Sequence, residues 1–156
     1  MKKLRLYLDT SVIGGFFDEE FYYETQILFE SIFSDEFEVI ISGITENELL
    51  SAPDKVRELL NKIPKSSIIK VSLSEECLHL ADSYIAEGVV GKTSRNDCLH
   101  IALATINNAD ILVSWNFKHI VNVMRIRGYN AVNLINGYKA IDIRSPKEII
   151  GYEKEK

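Results

Sequence analysis

The chain has 156 residues, a formal net charge of −5 and a hydrophobic share of 46%. This composition indicates one globular domain that buries about two-thirds of its unfolded surface, and it excludes disordered and collagen-like classes. The negative charge argues against a protein that coats nucleic acid through bulk positive charge. It does not exclude a nucleic-acid enzyme, because the carboxylates of a metal site count toward that charge.

The N-terminus and the cysteines bear on location. Arg5 and Asp9 interrupt any signal-peptide core, and no run approaches the ~20 apolar residues of a membrane span. Cys77 and Cys98 have no CxxC or zinc-site spacing, which predicts reduced core thiols. We therefore expect a cytoplasmic protein without membrane association, with one domain over residues 1–152 and a charged tail over residues 153–156.

Short apolar segments alternate with helical patterns along the chain. The predicted strands cover residues 4–8, 37–42, 67–71, 111–114 and 131–135. The predicted helices cover residues 22–33, 44–53, 54–63, 75–87, 94–107 and 117–127, and a last helix starts with Pro146 after a Ser145 cap. This alternation predicts an α/β fold around a mostly parallel sheet.

Polar residues follow several predicted strand ends, where open α/β sheets bind their ligands. Asp9 ends the first strand, and Asn116 follows the fourth. Glu48 shares a helix face with an apolar residue after the second strand. Asp97 lies on the same helix face as Ile101, and an aspartate there costs free energy unless it is paired or metal-bound.

Each of these residues also has a purely structural interpretation. Asp9 and Asn116 are candidate helix caps, Glu48 a solvated residue and Asp97 a first-turn acid that favours the helix dipole. However, all four fall on one predicted sheet edge, where three carboxylates repel one another unless a cation or proton neutralises them. Oxygen-only ligands select Mg²⁺ or Mn²⁺, and such a site usually activates water for attack on a phosphate.

Four motifs resemble the PIN-domain family, whose members include the VapC-type ribonuclease toxins. They are LYLDTSV, ISGITENELL, NDCLHIALA and ILVSWNFKHI, in the family's order and spacing, and together they extend over nearly the whole chain. The resemblance implies a three-layer α/β/α fold. It also implies phosphodiester cleavage, usually of RNA, that depends on a metal ion.

The resemblance assigns the metal-binding and catalytic carboxylates to Asp9, Glu48 and Asp97. The family's fourth acidic position falls on Asn116, which is a departure. An amide oxygen can ligate Mg²⁺ or position its water, but it brings no charge and binds more weakly.

Two further groups of residues flank this predicted site. The hydroxyls expected to hydrogen-bond the ligand carboxylates or their waters belong to Thr10, Ser11 and Ser114. Helix capping is the alternative for the first two. The candidate contacts to the phosphate backbone of a single-stranded substrate are Lys92, Arg95, Lys118 and His119. A solvated surface is the alternative for these charges.

The sequence and the resemblance also lead to expectations about the substrate, the binding partners and alternative functions. RNA is the expected substrate, and the family suggests a homodimer and an antitoxin partner, with residues 13–23 as a contact surface or a lid over the core. Asn116 motivates a second hypothesis, a PIN-like module that has lost catalysis and binds RNA or a protein. A phosphotransferase of the haloacid-dehalogenase kind needs a second aspartate where Ser11 stands, which argues against that reading.

Overall fold

The computed structural model describes residues 2–154, and for residues 151–154 it describes the backbone alone. The strands are β1 (Leu4–Leu8), β2 (Phe37–Ser42), β3 (Ile68–Val71), β4 (Ile111–Val113) and β5 (Asp142–Arg144). The helices are α1 (Thr10–Gly15), α2 (Tyr22–Phe33), α3 (Gly43–Leu49), α4 (Asp54–Leu60), α5 (Glu75–Ala86), α6 (Arg95–Ile106), α7 (Val123–Ile135) and α8 (Pro146–Lys154).

The five strands form one sheet in the order β3-β2-β1-β4-β5, and every neighbouring pair is parallel. In the central strand β1, Leu6 pairs with Val39 of β2 on one side and with Ile111 of β4 on the other. Because the strands are parallel, their carboxyl ends all lie at one edge of the sheet. The predicted α/β fold is confirmed.

Helices cover both faces of the sheet, as the alternating side chains of β1 require. Tyr7 points into a core built with α5, α6 and α7. Leu6 and Leu8 point into a second core built with α1, α2, α4 and α8. The result is the three-layer α/β/α arrangement that the family resemblance implies.

The helix predicted over residues 117–127 starts too early, since only residues 123–127 are helical, and the strand predicted over residues 131–135 is wrong. Turns follow β4, and then a single helix, α7, starts at the cap Asn122, whose Oδ1 accepts hydrogen bonds from the backbone of Met124 and Arg125. The fifth strand is β5, a three-residue segment in which only Ile143 is buried. A short apolar run such as 131–135 has no periodicity of its own that distinguishes a strand from the end of a helix.

Several helix boundaries and the C-terminal tail differ slightly from the sequence-based prediction. The helix predicted over residues 44–53 ends earlier, at Leu49, and α1 is an additional short helix directly after β1. The backbone of residues 153–154 belongs to α8, while residues 155–156 of the predicted tail lie outside the described residues. Within residues 2–154, no helix combines the length and apolar character needed to cross a membrane.

Candidate active site

Asp9 lies directly after β1, at the carboxyl edge of the sheet, and is only 4% exposed. Its Oδ1 accepts hydrogen bonds from Ser11 Oγ at 2.6 Å and from the backbone N–H of Val12 at 3.2 Å. Its Oδ2 accepts a hydrogen bond from Ser114 Oγ at 2.6 Å. Burial raises the pKa of Asp9, although proximity to His100 and the hydroxyl donors oppose that shift. Asp9 therefore caps α1 and also presents a tightly held carboxyl group at this edge.

Glu48 projects from α3, the helix that follows β2. Its Oε1 accepts a hydrogen bond from Thr10 Oγ1 at 2.8 Å and lies 2.8 Å from His100 Nε2. Its Oε2 accepts a hydrogen bond from Asn96 Nδ2 at 3.3 Å. The hydrogen bond with His100 is the largest influence on the Glu48 carboxyl and lowers its pKa. Glu48 is therefore ionised at neutral pH.

Asp97 lies in the first turn of α6 and is half-buried. Burial raises the pKa of Asp97, the negative charge of Glu48 adds to that shift, and proximity to His119 and His100 opposes it. The Asn116 side chain lies close enough to Asp97 to lower its pKa. Asn116 Oδ1 accepts a hydrogen bond from the backbone N–H of His119 at 3.0 Å.

Trp115 closes the core beneath this edge. Its indole N–H donates to Thr25 Oγ1 at 2.8 Å, and its ring stacks on Phe21 with the ring centroids 4.3 Å apart. Its backbone N–H donates to Ser11 Oγ at 2.9 Å, which links the buried ring to the hydroxyl that holds Asp9. Trp115 is thus a core residue and not an exposed platform for a nucleic-acid base.

The predicted phosphate contacts occupy different environments. Lys92 and Lys118 are exposed, the first in a turn that leads into α6. Arg95 is also exposed, and its Nε lies 3.0 Å from a carboxylate oxygen of Asp82 in an ion pair. His119 is half-buried and close enough to Asp97 to affect its pKa, and within the described residues its Nδ1 is buried without a hydrogen-bond partner.

The sequence-based site omits His100 and Tyr7. His100 is 4% exposed and contacts Glu48, while its Nδ1 lies 2.7 Å from the Tyr7 hydroxyl. A signal was present, since His100 stands one helical turn after Asp97 within the NDCLHIALA motif. Tyr7 alternates with two buried leucines in β1 and so has the pattern of an ordinary core residue.

The chemistry of the donor set suits a hard cation, because the candidate ligands at this edge are carboxylate and amide oxygens. Among residues 2–154, no group of three or more His, Cys, Asp or Glu side chains is arranged to hold a metal ion. Mg²⁺ usually keeps several waters and needs only one or two protein carboxylates. Glu48 and Asp97, which interact electrostatically across α3 and α6, fit that requirement.

Comparison with known proteins identifies the family. The family model described as the PIN domain matches residues 6–118. No curated protein sequence matches the chain significantly.

Two crystal structures have a similar fold. VapBC2 from Rickettsia felis, bound to a DNA fragment from their promoter, is 18% identical with a TM-score of 0.52, and the match covers 91% of this chain and 98% of that chain. FitAcB from Neisseria gonorrhoeae is 16% identical with a TM-score of 0.54, over 90% of this chain and 97% of that chain. These two likenesses concern the fold alone. The family match extends over most of the sequence, and the chain therefore belongs to the PIN-domain family.

Proposed function

We propose that this PIN-domain protein is a metal-dependent endoribonuclease that hydrolyses phosphodiester bonds in single-stranded RNA. The observation that carries the proposal is the arrangement of Asp9, Glu48 and Asp97 around the carboxyl edge of one parallel sheet, with hydroxyl donors that hold the first two. Such a concentration of acidic groups is costly without a cation, so a structural role alone is a poor explanation for it.

The ligands of the ion would be Asp9, Glu48, Asp97 and Asn116. When bound, Mg²⁺ or Mn²⁺ supplies an activated water and neutralises negative charge that develops on the phosphate oxygens. The chain itself fixes the direction of its carboxylates through three hydroxyls that donate to them, those of Thr10, Ser11 and Ser114. Hydrolysis by water requires no covalent intermediate on the protein.

The surroundings of Glu48 support a single-stranded polynucleotide as substrate. A cleft of ≈ 450 Å³ opens beside Glu48 and is lined by apolar and amide side chains, among them Ile44, Asn47 and Leu99. Exposed cations near the start of α6 and after β4 would meet the phosphate backbone, namely Lys92, Arg95 and Lys118, and half-buried His119 would lie beside them as a further polar contact. Because the protein is acidic overall, binding would depend on these local charges and weaken with salt.

For its partners, we propose a cytoplasmic homodimer that pairs with an antitoxin. The likeness to VapC-type proteins motivates the antitoxin, and free, buried Cys77 and Cys98 are consistent with a reducing compartment. Residues 13–23 include both a buried side chain that covers the core and exposed side chains that could contact a partner. Ile13 is buried, whereas Tyr22 and Tyr23 are 49% and 59% exposed and available to a partner.

A second candidate function is a PIN-domain module that binds RNA or a protein without cutting RNA. The specific observation in its favour is that Asn116 places a neutral side chain beside Asp97, so this part of the site carries less negative charge that requires a cation. An aspartate in place of Asn116 would instead repel Asp97 and favour a bound metal ion.

Cleavage of a labelled single-stranded RNA pool with Mn²⁺ tests the proposal, with Asp9→Asn and Asn116→Asp beside the wild type. We expect the wild type to cut and Asp9→Asn to lose at least about 100-fold in rate, since one negatively charged ligand is removed. Asn116→Asp is expected to cut at least as fast as the wild type.

Exposed His79 on α5 provides a control, because His79→Asn should leave cleavage unchanged. Activity that appears only in Asn116→Asp would instead support the non-catalytic module. Cleavage that persists in Asp9→Asn and in EDTA would contradict the proposed metal-dependent site.

A further inference from the structure

Glu48 belongs to a closed ring of contacts that begins and ends on α3. His100 Nε2 lies 2.8 Å from Glu48 Oε1, and His100 Nδ1 lies 2.7 Å from the Tyr7 hydroxyl. That hydroxyl donates to Ser42 Oγ at 2.8 Å. Ser42 in turn caps α3 by accepting a hydrogen bond from the backbone N–H of Thr45 at 3.2 Å. Since α3 carries Glu48, the ring joins β1, α3 and α6.

The ring is buried although its members are polar. His100 is 4% exposed, and Tyr7 and Ser42 are both 0% exposed. Burying such groups costs free energy unless each finds a partner, and here the ring supplies those partners. By contrast, the Glu48 side chain is 34% exposed. The ring therefore anchors in the core and reaches solvent at the carboxylate.

The two oxygens of Glu48 have different surroundings. Oε1 faces inward and has both Thr10 Oγ1 and His100 Nε2 at 2.8 Å. Oε2 has a single longer hydrogen bond, 3.3 Å, from exposed Asn96. Because Oε1 is held from two directions, the carboxylate plane is fixed and Oε2 is the oxygen that faces outward.

We infer that His100 is a positioning residue, which, backed by Tyr7, fixes the Glu48 carboxylate so that Oε2 is presented to a divalent cation. The inference rests on the proposed function, because it assigns Glu48 to the metal site. A partner that orients a ligand carboxylate in this way typically affects metal affinity by 10–100-fold. The role belongs to His100 through its contact with Glu48 and not to any contact with RNA.

Two substitutions at one position separate this role from a general effect on folding. In His100→Gln, the amide nitrogen can occupy the region of Nε2 and still donate to Glu48. In His100→Asn, the shorter amide reaches only the region of Nδ1, beside Tyr7. The measurements are the Mn²⁺ dissociation constant by calorimetry and thermal unfolding in EDTA. Exposed His79→Asn serves as the matched control.

We expect His100→Asn to weaken Mn²⁺ binding about tenfold or more, and His100→Gln to recover most of that loss. His79→Asn should bind like the wild type. Tyr7→Phe removes only the hydroxyl oxygen and keeps the aromatic side chain. It therefore tests the inference even if a His100 variant does not fold. Tyr7→Phe should also weaken Mn²⁺ binding severalfold, because His100 Nδ1 loses its contact with the Tyr7 hydroxyl.

The inference is wrong if folded His100→Asn and Tyr7→Phe bind Mn²⁺ as tightly as the wild type, or if His100→Gln binds as weakly as His100→Asn. In both cases the wild type still binds Mn²⁺, so the proposed function survives. A wild type that binds no Mn²⁺ would overturn the proposed function and this inference together.

Discussion

At the residue scale, the burial of Asp9 links this carboxyl group to the stability of the fold. Its pKa is raised above the ordinary value of 3.8 by burial. When the pKa of a carboxyl group is higher in the folded state than in the unfolded state, its neutral form stabilises the fold more than its ionised form does. Its contribution to the free energy of unfolding is complete below the unfolded pKa and is lost as the pH rises through the folded pKa.

Asp9→Asn tests this effect because the amide does not titrate. In metal-free buffer, we expect the melting temperature of the variant to gain on that of the wild type as the pH rises from about 4 to 7. Thermal unfolding followed by circular dichroism over that range measures the difference. A difference in melting temperature that stays constant with pH would show that burying the ionised Asp9 carboxylate does not destabilise the fold.

Residue patterns predict the candidate site only in part. Asp9 and Asp97 could be identified from the sequence as site candidates, because a charge at the end of a buried strand or on an apolar helix face costs free energy unless it has a partner. Tyr7 could not, since it fits a core position by its spacing and gains its partner only when α6 packs on the sheet. His100 carries a signal in its place one helical turn after Asp97, but its contact with Glu48 depends on how α3 and α6 pack. The amide of Asn116 is a similar case, because its position near Asp97 depends on the turn after β4.

At the element scale, α1 packs closely against the segment after β4. A Cβ at Gly15 would lie 2.9 Å from the Trp115 ring and 3.1 Å from Thr25 Oγ1, at the point where these two side chains hydrogen-bond. A Cβ at the neighbouring Gly14 would meet nothing within 4 Å. The two glycines therefore form a natural pair for comparison.

We expect Gly15→Ala to lower the free energy of unfolding by about 1–3 kcal/mol, because the new methyl group displaces Trp115. Gly14→Ala should be neutral or stabilise the protein by up to about 1 kcal/mol, since alanine is the better helix former. Urea denaturation measures both changes. Equal effects of the two substitutions would mean that the close approach of α1 to Trp115 is not a constraint.

Elements differ in how well their sequences predict them. Strands β1, β2 and β4 are mostly apolar and each has at least two buried residues, so their patterns identify them. β5 lies at the edge of the sheet and has one buried residue among three, too few for an alternating pattern. At the end of α7, Val132 is buried but Leu134 and Ile135 are 62% and 83% exposed, so this apolar run lacks a clear helical core face and resembles a strand in sequence.

At the scale of the whole molecule, the parallel sheet determines where the chemistry lies. All five strands point the same way, so side chains that follow β1 and β4 meet at one edge without any long-range motif. Asp9 and Ser114, 105 positions apart in the sequence, are joined there by a 2.6 Å hydrogen bond. This property of parallel sheets is why short segments sufficed to predict the fold and to nominate one edge of the sheet as the candidate site.

Anomalous scattering from Mn²⁺-soaked crystals shows most directly whether this edge binds a divalent cation. We expect an anomalous peak at the carboxyl edge of the sheet, about 2 Å from a carboxylate oxygen of Glu48 or Asp97. The peak should disappear in crystals of a Glu48→Gln, Asp97→Asn double variant. Crystals of the wild type with no peak at this edge, or with Mn²⁺ bound only elsewhere, would contradict the proposed metal site.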